Sequence, residues 1–177
     1  MSGANERSGW QRTHTCGVLL PELAVSNGIG ALSRAAPHTQ RADCRWAALL
    51  SDLPETRARE ASERLKSPNA YSLLATRVSG ERPKIKTALK DATECMNLLK
   101  ALDALRREEP FEGFCETLVA LEQNSADALS AIELLLRARD AAQKVKATDF
   151  TDQGLKGPEL GAAIQVAQIE RIAELLK

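Results

Sequence analysis

The chain has 177 residues, enough for one domain or for a row of helical modules sharing a core. Ala and Leu dominate its 44% apolar content and only six residues are aromatic, which excludes a sheet-built core, because strands are filled by β-branched and aromatic side chains. Lys plus Arg equals Asp plus Glu at 24 each, so total charge selects no polyanionic partner and only its distribution can.

That distribution is uneven. Residues 54–107 carry a net charge of +5 and residues 108–177 a net charge of −6, so the middle is a candidate polyanion surface and the last third is not. Cys16, Cys44, Cys95 and Cys115 form no CxxC pair, which reads as reduced, buried thiols. The opening MSGANERSGW has no apolar signal region, and no window approaches the ~18 apolar residues of a membrane span. A cytoplasmic protein without membrane attachment is expected.

Residues 1–14 read as a flexible leader. From Val18 to Ala36 Pro21, Gly28 and Gly30 interrupt a loose apolar run, predicting two short helices. Arg45–Leu53 reads as a buried helix stopped by Pro54. Glu55–Lys66 reads as a charged helix showing Ala58, Ala61 and Leu65 to a core, and Asn69–Val78 as a helix with Leu74 and Val78 on one stripe. The clearest periodicity runs from Ile85 to Arg107, with Leu89, Ala92, Met96, Leu99, Leu102 and Leu105 three or four apart, and predicts one long helix. Pro110 then starts a helix over Phe111–Leu121 with Phe111, Phe114, Leu118 and Leu121 inward. Asn124 or Ser125 caps a helix from Ala126 to Val145 that turns Leu129, Ile132, Leu136 and Ala142 inward. After a short helical turn near Asp149, Gly154-Leu155-Lys156-Gly157-Pro158 permits positive φ and starts the final segment, Glu159–Lys177. Its face is Leu160, Ile164, Ile169, Ile172 and Leu176, with Gly161 as a hinge between two helices.

Five segments, in this order, resemble the C-terminal half of bacterial CCA-adding enzymes, the multifunctional tRNA nucleotidyltransferases: CGVLLPEL (16–23), RWAALLSDL (45–53), LKSPNAYSLLATRVS (65–79), LLKALDALRREEPFEGFCETLVALEQ (98–123) and GLKGPELGAAIQVAQIERI (154–172). The last is the most specific. The resemblance implies an all-α fold, an array of short antiparallel helices like the body and tail of class II tRNA nucleotidyltransferases. It also implies two regions, a degenerate HD-like one over 15–80 and a body and tail over 81–177.

Departures from the family matter as much. Nucleotide transfer needs two carboxylates holding two Mg²⁺ ions about 4 Å apart, and no D-x-D occurs in this sequence, so the family's Mg²⁺-dependent head is not represented. In the HD-like region Ser51 stands where the family has the histidine of its His-Asp pair and Asn27 where it has an earlier one. Asp52 is kept, and the loop supplying further histidines is deleted before Leu65. His14 and His38 have no partner at ligand spacing. No catalytic residue, metal site or cofactor is expected in these residues.

The cations left to hold tRNA are Arg77, Arg82, Lys84, Lys86, Lys90, Lys100, Arg106 and Arg107, with Lys156 in the glycine turn. In the tail, Val166-Ala167-Gln168 replaces a basic cluster. Arg82, Lys86 and Lys90, four apart, are either one phosphate-following face of the long helix or a solvated face interleaved with Glu81, Asp91 and Glu94. The turn before Pro158 is either a phosphate cradle or a simple reversal, and Glu159 at the helix start favours the reversal. The expected function is that of a headless homologue holding tRNA without chemistry or base preference of its own. The alternatives are a protein-interaction or self-association module using Trp10, Leu19 and Leu20, or a gene remnant that needs a separately encoded nucleotidyltransferase head.

Overall fold

The computed structural model describes Leu23, residues 26–153 and residues 155–177. Among them every regular element is helical, so the fold is all-α as composition demands. In chain order the helices are α1 (Gly28–Ala35), α2 (Ala42–Leu50), α3 (Glu55–Arg64), α4 (Asn69–Glu81), α5 (Ile85–Ala88), α6 (Ala92–Ala101), α7 (Glu108–Leu121), α8 (Ala126–Gln143) and α9 (Pro158–Leu175). Short 3-10 turns cover Arg82–Lys84 and Ala147–Gln153.

The chain separates into two compact units: residues up to Gly80 with Glu116–Leu121, and Glu81–Cys115 with Glu122–Lys177. In the first unit α1 packs on α2. Gly28, expected to interrupt a helix, instead begins one, because a Cβ there would overlap the Leu49 carbonyl oxygen. Closeness of this kind needs small side chains, and Ala31, Ala35, Ala47, Ala48, Ala58, Ala61 and Ala75 are all buried. Hydroxyls tie the layers: Ser79 Oγ donates to the Leu50 carbonyl at 2.9 Å, and Trp46 Nε1 donates to Ser62 Oγ, which itself donates to the Ala58 carbonyl. Leu65, assigned to the core from its spacing, is 36% exposed, and Ser62 is buried in its place. The reason is that α3 ends at Arg64 and the chain reverses through Lys66 at φ 51, with Lys66 N–H bonded to the Glu63 carbonyl and Ser67 N–H to the Ser62 carbonyl.

The second unit is filled by large side chains. Met96, Leu99, Leu102, Phe111, Phe114, Leu135 and Ile172 are each at most 1% exposed. The α7 stripe Phe111, Phe114, Leu118, Leu121 is buried as its spacing predicts, although Leu118 and Leu121 belong to the first unit. On α8 the buried positions are Ile132, Leu135, Ala138, Arg139 and Ala142, so the stripe sits one residue from the predicted Leu129 and Leu136. Arg139 is held inside by donating from Nε to the Ala104 carbonyl at 3.0 Å and by lying 5.2 Å from the Phe111 ring centroid. Helix α9 packs on α6 and α8. It is one helix and not two hinged at Gly161, because Gly161 continues the hydrogen bonding to the Gly157 carbonyl at 3.2 Å.

Candidate nucleic-acid interface

The expected long helix over 85–107 does not form, and this decides where its cations lie. Pro83 lacks an N–H and favours a tight 3-10 turn, leaving α5 only one turn long. The chain then folds through Leu89-Lys90-Asp91, where Asp91 is extended (φ −138, ψ 130) and its carboxylate accepts from the N–H groups of Thr93 and Glu94, both at 2.9 Å. Capping is worth ~1 kcal/mol and restarts the helix as α6 in a new register. A second break follows at Asp103, left-handed at φ 55. Arg82, Lys86 and Lys90 therefore do not share one helix face: Arg82 is in the 3-10 turn, Lys86 on α5 and Lys90 in the turn before α6.

Ion pairing sorts the candidate cations further. Arg82 gives both Nε and a terminal nitrogen to Glu122 Oε1, at 3.1 and 2.6 Å. Lys84 pairs with Glu81 at 2.9 Å and Arg107 with Asp103 at 3.4 Å. Lys86, Lys90, Lys100, Arg106 and Lys156 are exposed and have no ion-pair partner among the described residues. Arg77 is half-buried on α4, in the other unit. Lys156 precedes Gly157, whose φ of 55 and ψ of −126 make the reversal, and Pro158 begins α9, as that segment predicts. Gly154 lies outside the described residues, and so do Trp10, His14, Cys16, Leu19 and Leu20.

Beside α5 and α6 an open groove of about 480 Å³ is lined by Glu81, Pro83, Lys84, Thr87, Ala88, Glu94, Asn97, Leu98 and Ala101. Sequence reasoning missed it, since Glu94 and Asn97 read as ordinary solvated positions on a long helix. The signal available was the D-x-x-E capping signature at Asp91–Glu94.

The HD-like region keeps its geometry without ligands. Contact of Gly28 with Leu49 brings the N-terminal end of α1, where Asn27 sits, beside the C-terminal end of α2, where Ser51 and Asp52 follow. Ser51 is buried with its hydroxyl lacking a hydrogen-bond partner, whereas Asn27, Asp52 and His38 are exposed. No group of three or more His, Cys, Asp or Glu among the described residues is arranged to hold a metal. The residues present do not fit a divalent-ion centre, and no metal-dependent step follows from them.

Charges elsewhere in this unit are structural. Arg41 forms two bonds to the Asp43 carboxylate, at 3.1 and 2.7 Å, and that guanidinium holds Asp43 below the usual carboxylate range. Thr39 donates to Glu116. Burial raises the thiols of Cys44, Cys95 (to about 11) and Cys115 (to about 12), which keeps them protonated and unreactive near neutrality.

No protein-family model matches the chain, and no solved structure does. Curated relatives do. The chain is 33% identical over 165 residues to the multifunctional CCA protein of Pseudomonas putida KT2440, a match covering 89% of the chain and 44% of that protein. It is 30% identical over 156 residues to the CCA-adding enzyme of Pseudomonas putida W619 (87% and 42%) and 31% identical over 170 residues to that of Marinobacter nauticus (90% and 44%). The chain is homologous to part of the CCA-adding enzymes. It spans less than half the length of these relatives, consistent with the C-terminal portion that the sequence motifs indicate.

Two motif residues shared with the CCA-adding enzymes now have a physical role. In LKSPN, Lys66 supplies the left-handed residue that ends α3, and in GLKGPELG, Gly157 and Pro158 set the reversal and the first turn of α9. No helix among the described residues is long and apolar enough to cross a membrane.

Proposed function

We propose that these residues form a tRNA-holding helical region of the CCA-adding type, with no chemistry of their own, and that Lys86, Lys90, Lys100 and Arg106 carry the phosphate contacts. One observation carries this reading: in a segment of net +5, these four cations are exposed and without ion-pair partners among the described residues, while Arg82, Lys84 and Arg107 are paired. A free surface ammonium meets a phosphate by releasing counterions, whereas a paired one must first give up its carboxylate. Surface pairs are worth only ~0–1 kcal/mol, so Lys84 and Arg107 are secondary contacts; Arg82, half-buried against Glu122, is the least available of the set. Arg77, half-buried, and Lys156, beside Glu159, are also secondary. On the same reading the α1–α2 junction is a degenerate HD centre: Asn27 and Ser51 hold the positions of ligands and supply none.

Filter binding of tRNA against salt tests this. Lys86→Glu with Lys90→Glu should weaken retention at low salt at least ~10-fold and flatten the log–log salt dependence by about one unit for each phosphate no longer neutralised. Unchanged affinity in the double variant, or no tRNA retention by the native chain, refutes the reading.

A further inference from the structure

The groove between the Arg82–Lys84 turn, α5 and α6 is acceptor-rich inside and cationic around it. Its volume of about 480 Å³ is in the small-molecule range of about 300–1,000 Å³. Pro83, Ala88, Leu98 and Ala101 give it an apolar floor able to take the face of a planar ring. Glu94 and Asn97, three apart on α6, lie on one helix face and line the same wall. A carboxylate only accepts hydrogen bonds, while the asparagine amide also donates. Glu81 adds a second carboxylate, one oxygen of which is taken by Lys84 at 2.9 Å. Exposed Lys86, Lys90 and Lys100 belong to the same elements.

We propose that this groove seats one guanine base of a bound RNA, with Glu94 accepting from its N1–H and exocyclic amino group, Asn97 donating to O6, and the lysines facing the flanking phosphates. Charge complementarity argues for this occupant. A free phosphate would meet Glu81 and Glu94, and an arginine side chain would satisfy those carboxylates only by entering among the lysines. A nucleotide matches both features, being anionic along its backbone and donor-bearing at its base edge. Among the four bases only guanine presents two adjacent donors beside an acceptor; adenine would turn its N1 lone pair toward Glu94, and uracil offers a single donor. The inference rests on the RNA-holding reading above and departs from the sequence expectation of binding without base preference, at this one position.

The experiment is a titration of the ¹⁵N-labelled chain at low salt with the 5′-monophosphates of guanosine, adenosine, cytidine and uridine, with N-acetylarginine amide as a competitor. Guanosine monophosphate should shift the amides of Glu94, Asn97 and Leu98 and bind about 10-fold tighter than the others. Glu94→Gln, at an exposed position, should erase that preference while tRNA retention through Lys86 and Lys90 persists. Equal response to all four nucleotides, no response in the groove, or tighter binding of the arginine compound overturns the proposal. Retention of tRNA without guanine preference sinks the groove alone; guanine preference without tRNA retention keeps the groove as a nucleotide site and sinks the RNA surface.

Discussion

The two units solve helix packing in opposite ways. Around α1–α4 the core is alanine, glycine and serine, and backbones come close enough for Gly28 to meet the Leu49 carbonyl and for Ser79 to bond the Leu50 carbonyl. Around α6–α9 the space is taken by Phe111, Phe114, Met96, Leu99 and Leu135, and a buried arginine closes the α6–α7 turn. The first arrangement has little room for added atoms; the second depends on the atoms it already buries. Polar work is divided too. Arg41 and Arg45 of the first unit are engaged by Asp43 and by the carbonyls of Ala36 and Thr39, whereas the second unit leaves Lys86, Lys90 and Lys100 facing solvent.

Removing bulk from the second unit should give the largest effect. Phe111→Ala deletes a fully buried ring and the face on which Arg139 rests, and should cost ~3–5 kcal/mol in urea unfolding; a loss near zero would mean the large-residue core is not what holds that unit. Adding bulk to the first unit comes next. Gly28→Ala drives a methyl into backbone and should cost ~1–3 kcal/mol, against the small gain that the same change normally brings inside a helix. If Gly28→Ala stabilises, the close approach of α1 and α2 is wrong. The smallest effect has the opposite sign: Lys66→Gly relieves a left-handed side-chain residue and should raise the thermal midpoint through ~1 kcal/mol of added stability. Asp103, also left-handed, is the poorer choice for this test, because its carboxylate pairs with Arg107.

Much of the fold was legible because helical period and composition agree. The Phe111–Leu121 stripe, the cap at Ser125, the Leu74 and Val78 face and the Gly157–Pro158 reversal all lie where local rules put them. Candidate binding residues were less legible. Their spacing assumed a continuous helix through Leu89–Asp91, and the apolar repeat there is good enough to hide a cap. Asp91 decides against continuity by offering its carboxylate to two N–H groups at once, an option that periodicity does not weigh.

By itself the sequence determined the helical class, the absence of clustered metal ligands among described residues, and the kinship that its five collinear segments carry, since each depends on residue type and order alone. Tertiary structure alone decided which helices continue, which glycine is forced by a neighbouring backbone, and which cations are left free for a phosphate. Those outcomes turn on partners distant in sequence, such as Leu49 for Gly28 and Glu122 for Arg82, and no local pattern records a distance across the fold.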